Sequence, residues 1–156
     1  MVLTTMGSTT SSEYPSLLQR AIAIATKAHE GQVDKAGKPY LDHPLLVMEQ
    51  VNSLEEKIVA VLHDAIEDSD LTFENLRSEG FPEVLIEAIA AITKIKGETY
   101  EAYLERVIAN PIALRVKIAD VTHNLDLGRI AHPTEVDFQR IEKYKKVLSK
   151  LRAALQ

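Results

Sequence analysis

An all-α domain of about eight helices follows from three observations. Apolar residues recur at three- and four-residue spacing almost throughout the 156-residue chain. No alternating apolar stretch of useful length competes with that period, and no internal repeat appears. At this length one hydrophobic core buries roughly 70% of the unfolded surface, and the expected radius of gyration is about 15 Å.

The elements read in order. Leu17, Leu18, Ala21, Ile22, Ile24 and Ala25 make one face of a first helix that ends near Gly31. Lys35-Ala36-Gly37-Lys38-Pro39 is a loop, since Gly and Pro both break regular structure. His43 stands just before Pro44, a favoured first helical residue, and Leu45, Leu46, Val47 and Val51 carry that helix. Glu55 to Ile66 forms the next, burying Ile58, Val59, Val61 and Leu62. Thr72 caps a short helix containing Phe73 and Leu76, which Gly80 ends. Pro82 opens a helix through Ile92, Thr99 begins another over Tyr100 to Ala109, and Pro111 starts a long central helix towards Leu127. Val136 to Leu155 is a charged final helix with Phe138, Ile141, Tyr144, Leu148 and Leu151 on its apolar stripe.

Composition narrows the function. A net charge of −5 without a long Lys/Arg run argues against a nucleic-acid polymer as partner. A short phosphorylated metabolite is compatible, because a local cluster of cations with a metal offsets its charge. The chain has no cysteine, which excludes disulfides and thiolate sites and fits a cytoplasmic location. The start is Ser/Thr-rich, with neither an apolar core nor a basic region, so residues 1–13 read as a disordered tail rather than a signal peptide. Residues 14–156 read as one domain. No apolar run approaches the roughly eighteen residues of a membrane span.

Chemistry concentrates in four stretches: Asp42-His43-Pro44, His63-Asp64, Glu67-Asp68, and Lys117-Ile118-Ala119-Asp120 with Asn124 following. Within His63-Asp64-Ala65-Ile66-Glu67-Asp68, adjacent metal-ligand types precede two carboxylates by four residues. On a helix, positions four apart share a face roughly 6 Å along the axis, so Glu67 is expected over His63 and Asp68 over Asp64. Two acids beside a metal are placed to hold or deprotonate a water. The pattern is that of a metal-assisted hydrolase.

The ordered set resembles the HD superfamily of metal-dependent phosphohydrolases, whose ligands run His, His-Asp, Asp. The resemblance implies His43, His63, Asp64 and Asp120 as ligands. Ala28-His29-Glu30-Gly31-Gln32 and Gly37-Lys38-Pro39-Tyr40 look like the opening of the hydrolase domain of Rel/SpoT-type alarmone enzymes. Leu62 to Asp68, Val116 to Asp120 and His123-Asn124-Leu125 continue it, so the likeness runs from about Leu17 to Arg129. It implies a compact HD-domain fold and a small alarmone hydrolase. That enzyme removes the 3′-pyrophosphate from (p)ppGpp or its adenosine analogue (p)ppApp. The alternatives are another HD nucleotide phosphohydrolase, such as a 5′-nucleotidase, and a non-catalytic nucleotide sensor.

Two imidazoles and two carboxylates leave room for water and a substrate oxygen, which suits Mn²⁺ better than Zn²⁺. The resemblance also implies Mn²⁺, one ion per site, and assigns Glu67 and Asp68 to water activation. Asp120 lies inside an apolar helix, where an unpaired carboxylate is costly; alone it could equally be a salt bridge. Lys117 is suited in equal measure to a substrate phosphate or to a carboxylate partner. Asn124 matches the family residue that contacts the nucleotide sugar region. Lys35, and Tyr100 with Arg106 near the Gly97 turn, are further candidates for substrate contact, although a Tyr100/Tyr103 pair more often packs in a core. His29, His123 and His132 form no second ligand set.

The chain departs from the family pattern at three places. Asp34-Lys35-Ala36 replaces a basic residue and small hydroxyls that help bind guanine, and Val121 and Asp126 stand where arginines are common. An acidic group accepts from the adenine amino group, where guanine offers an acceptor. Activity towards (p)ppApp is therefore expected to be at least comparable to that towards (p)ppGpp.

Overall fold

The computed structural model describes residues 11–126 and 132–155. They form α1 (Tyr14–Ala28), α2 (Asp42–Glu49), α3 (Leu54–Leu62), α4 (Ala65–Asp68), α5 (Phe73–Ser78), α6 (Glu83–Ile92), α7 (Tyr100–Ala109), α8 (Pro111–Asn124) and α9 (Glu135–Ala154). The all-helical expectation holds: α4 is a single turn, and no strand occurs among the described residues, where Val33 and Pro39 make an isolated antiparallel bridge. Of the tail expected over residues 1–13, Ser11–Glu13 form a 3-10 turn leading into α1, and the remainder lies outside the described residues. The central helix ends at Asn124 with Leu125 as its C-cap, short of the expected Leu127; Leu127 itself and the end of the family resemblance at Arg129 lie outside the described residues.

Helix starts follow capping chemistry. Ser53, Thr72 and Thr99 each accept a main-chain N–H three residues on, at 3.0, 3.0 and 3.1 Å. Asn110 Oδ1 accepts from Ile112 and Ala113, holding the first turn of α8 where Pro111 lacks a donor. Each such cap contributes about 1 kcal/mol. The loop between α1 and α2 turns at Gly37, whose φ of +82° disfavours any side chain. Asp34 Oδ1 closes that turn by accepting from Ala36 N and Lys38 N.

Helix α3 is the centre of the domain, with α1, α2, α6 and α8 packed around it. Its residues Ile58 to Leu62 are all fully buried, so it has no solvent face over that stretch. Burying each large aliphatic side chain stabilises the fold by about 1.5–3 kcal/mol. The rigid centre ends at Leu62, directly before His63.

Two expectations need correction. The helix predicted from Glu55 to Ile66 is divided: His63 and Asp64 form a turn between α3 and α4, with Asp64 at φ −103° and ψ −7°. The His63 ring explains the break, because its Nδ1 bonds the Ala60 carbonyl at 2.5 Å while the His63 amide tightens onto the same oxygen. On α9 the buried apolar residues are Ile141, Val147, Leu148 and Leu151, whereas Phe138 is 47% exposed. The first turns of α9 instead turn the buried Asp137 inward towards the α1–α2 loop, which leaves Phe138, one position round the helix, on the outside.

Candidate metal centre and cavity

Three helical ends converge on one point. His43 comes from the first turn of α2, His63 and Asp64 from the turn after α3, and Asp120 from the last turns of α8. His43 Nε2 lies 2.8 Å from Asp120 Oδ1 and 3.8 Å from Asp64 Oδ2. His63 Nε2 lies 3.1 Å from Asp64 Oδ2 and 3.3 Å from Asp120 Oδ1. His43, His63 and Asp120, all buried, each bring a donor atom within 4.8 Å of the others. Asp64 reaches both imidazoles from the side and is held there by the Tyr40 hydroxyl, which donates to Oδ2 at 2.6 Å.

The donor set fits a cation. With its Nδ1–H given to the Ala60 carbonyl, His63 carries a lone pair on Nε2, and that buried atom has no hydrogen-bond partner. It faces the two carboxylates, which when ionised also offer only lone pairs. Such a cluster repels itself unless a positive charge sits within it. Either a proton on His63 Nε2 or a bound cation would supply that charge. Burial alone would lower the His63 pKa, but Asp64 and Asp120 outweigh it and raise it well above the ordinary value. Against burial, which would raise it, His63 draws the Asp64 carboxyl down to about 2. A divalent ion would replace that proton.

Lys117 completes the balance. It is buried, yet burial is outweighed by Asp120, and its pKa is raised, so it stays an ammonium. Its Nζ donates to Asp120 Oδ2 at 2.9 Å and lies 5.2 Å above the Tyr103 ring. Of the two roles open to Lys117, the carboxylate partnership is the one formed. Asp120 therefore divides its oxygens, Oδ2 to Lys117 and Oδ1 to the histidines, with the Asn124 amide 3.3 Å from Oδ1.

The acid pair stands beside this cluster on α4. The Asp68 amide donates to the Asp64 carbonyl at 3.0 Å, preserving the expected four-residue relation. Glu67 turns towards the α6–α7 connection, where Oε1 accepts the Lys94 amide at 2.5 Å. Burial, then the nearby Asp64 charge, raise the Asp68 pKa above the ordinary carboxylate value. That moves Asp68 in the direction a general base requires.

A cavity of about 450 Å³ opens over these groups. The volume is in the range of small-molecule pockets. Seven carboxylates line it against four cations, Lys35, Lys94, Lys117 and Arg140, so a bound cation would offset the excess negative charge towards an anionic ligand. Of the candidate substrate contacts, Lys35, Lys117 and Asn124 line the cavity; Tyr100 and Arg106 do not. Arg106 is consumed elsewhere: it bonds the Ala90 and Thr93 carbonyls at the end of α6 and both oxygens of Glu98. Tyr100 packs on Tyr103, ring centroids 5.8 Å apart, with Lys143 Nζ 4.5 Å from the centre of the Tyr100 ring.

Some site residues were not singled out from sequence. His123 stacks on His43, ring centroids 4.9 Å apart, and its position three residues after Asp120 was the available signal. Tyr40 lies in the quoted Gly37-to-Tyr40 motif and had no role there. Asp137, Arg140 and Tyr144 reach the cavity from α9, and only tertiary packing brings them there.

No family model matches the chain. Curated proteins do. It is 32% identical over 130 residues to a probable GTP pyrophosphokinase of Mycobacterium leprae, covering 76% of this chain and 16% of that protein. It is 35% identical over 118 residues to the guanosine-3′,5′-bis(diphosphate) 3′-pyrophosphohydrolase of Aquifex aeolicus, covering 70% of this chain and 17% of that protein. Over about 70% of its length the chain is therefore similar to one part of SpoT-type (p)ppGpp enzymes. It spans about a sixth of the length of the curated relatives it matches, 16–17% in these two. Its fold is that of a metazoan ortholog of SpoT that hydrolyses ppGpp, with a TM-score of 0.73 and 24% identity over 94% of this chain and 89% of that one.

Proposed function

We propose that this chain is an alarmone hydrolase that removes the 3′-pyrophosphate from (p)ppGpp or (p)ppApp, using one Mn²⁺ ion per site. The observation that carries the reading is the bare His63 Nε2 facing Asp64 and Asp120 beside an acid pair, in a cavity of about 450 Å³. The alarmone substrates of the named relatives support the substrate class.

His43, His63, Asp64 and Asp120 would hold the ion, and their mixed nitrogen and oxygen donors suit Mn²⁺. When bound, the ion supplies Lewis-acid polarisation of phosphate oxygen and lowers the pKa of water. Asp68 and Glu67 orient the attacking water, and Asp68 takes its proton as the water oxygen bonds to the phosphorus attached to the ribose 3′ oxygen. The bond from that phosphorus to O3′ breaks, O3′ gains a proton, and pyrophosphate leaves with the nucleoside 5′-di- or triphosphate. Lys117 keeps Asp120 ionised throughout, while Asn124 and Lys35 bind the nucleotide. Asp34 lines the cavity, and a carboxylate there would favour the adenine amino group, so (p)ppApp is expected to be turned over at least as well as (p)ppGpp.

The test is a nucleotide panel with Mn²⁺, its products separated by ion exchange. The panel holds ppGpp, ppApp and 5′-monophosphates. Pyrophosphate released from both alarmones, with kcat/KM for ppApp at or above that for ppGpp, is the expected result. Orthophosphate from 5′-monophosphates alone would make the chain a nucleotidase. Tight binding without turnover would make it a sensor.

A further inference from the structure

The two ends of the acid-bearing turn are tied to one residue, Gln32. Gln32 Nε2 donates to the Asp68 carbonyl at 2.8 Å and to the Ala28 carbonyl at 3.3 Å. Helix α4 is only four residues long, so its last carbonyls have no helical donor and need one from outside. On its other side, Gln32 Oε1 lies 2.8 Å from Nδ1 of the buried His29. The amide has one consistent orientation: the NH₂ faces two carbonyls, so the oxygen must accept from His29 Nδ1–H. The buried His29 Nε2 has no hydrogen-bond partner.

The main chain of Gln32 makes the second tie. Its carbonyl accepts the Tyr40 amide at 2.9 Å, and the Tyr40 hydroxyl donates to Asp64 Oδ2 at 2.6 Å. Asp64 opens the turn and Asp68 closes it. A single residue outside the cavity wall thus fixes both groups that must meet the same water. The Tyr40 ring, 5.1 Å from His29, packs against the same assembly.

We infer that Gln32 is a positioning residue, whose side-chain amide sets the placement of Asp68 relative to Asp64. The inference rests on the hydrolytic reading of the acid pair. A displacement near 1 Å at a reacting group costs on the order of 10²-fold, and loss of such an indirect support costs about 10–100-fold. The main-chain tie to Tyr40 survives any side-chain change, so Asp64 and the ion should stay in place while Asp68 drifts.

Two variants test this. Gln32→Met removes both functions of the amide; Gln32→Glu keeps an acceptor for His29 and puts oxygen opposite the Asp68 carbonyl. In both, kcat on ppGpp and ppApp should fall about 10–100-fold, with KM and the Mn²⁺ dissociation constant within about threefold of wild type. Unchanged kcat in both would overturn the inference, as would a parallel loss of Mn²⁺ affinity, which marks a general scaffold role. If wild type hydrolyses neither nucleotide, the functional reading fails. Amide hydrogen exchange over residues 64–70 then decides the placement: faster exchange confined to that segment in both variants supports it, and unaltered protection overturns it.

Discussion

The Nδ1 atoms of His43 and His123 lie 2.6 Å apart, with the rings stacked 18° from parallel. Only one proton can occupy that contact. If His43 Nε2 gives its lone pair to a metal, Nδ1 carries the proton and His123 Nδ1 accepts it. The His123→Phe variant keeps the stacked ring and removes the acceptor. Its Mn²⁺ affinity by calorimetry should fall about 10–100-fold. Unchanged affinity would show that another group fixes the His43 tautomer.

Asp68→Asn keeps the side-chain shape and the main-chain bond to Asp64 while removing the base. Turnover should fall by roughly 10²–10⁴. Metal content, read by elemental analysis, should match wild type. A variant that loses its metal would place Asp68 among the ligands.

Arg106 should govern stability rather than substrate affinity. Its guanidinium bonds two carbonyls at the end of α6 and bridges to Glu98. Charge-assisted bonds of this kind contribute about 1.5–3 kcal/mol. Arg106→Ala should lower Tm by about 2–4 °C for each kcal/mol lost. KM of the folded variant should be unchanged. A raised KM at constant Tm would return Arg106 to the cavity.

Asp137 ties the start of α9 to the α1–α2 loop. Its Oδ2 accepts from the Thr134 amide and hydroxyl, and its Oδ1 from Lys35 and Arg140. The Thr134 amide, then Lys35, hold its pKa below the ordinary carboxylate value. The stabilisation is fully present above the unfolded-chain value of about 3.9 and disappears as pH falls through the lower folded value. Asp137→Asn should therefore melt below wild type at neutral pH, and the gap should close as pH falls below about 4. A gap independent of pH would mean that the charge on Asp137 does not stabilise α9.

Helix positions were legible because caps and breakers are local. Thr72, Thr99 and Pro111 each mark a helix start that the structure reproduces. The break after Leu62 was not legible, since it depends on the His63 ring bonding its own preceding turn. The ordered motifs pointed to His43, His63, Asp64 and Asp120, which the fold brings together. Arg106 and Tyr100 misled because proximity in sequence to a turn says nothing about which way a side chain packs. The contribution of α9 was invisible for a related reason: Asp137 looks like an ordinary solvated charge on a charged helix until tertiary packing sets it against Lys35.

The central claim is that one ion, held by residues from α2, the α3–α4 turn and α8, is required for hydrolysis and ties those elements together. The direct measurement is Mn²⁺ titration into chelator-treated protein, following Tm and pyrophosphate release from ppGpp and ppApp in the same samples. Both should rise together and saturate near one equivalent. At a hundredfold excess of ion over Kd the stabilisation should be about 2.7 kcal/mol. Full turnover by protein stripped of metal, or a Tm indifferent to Mn²⁺, would contradict the account.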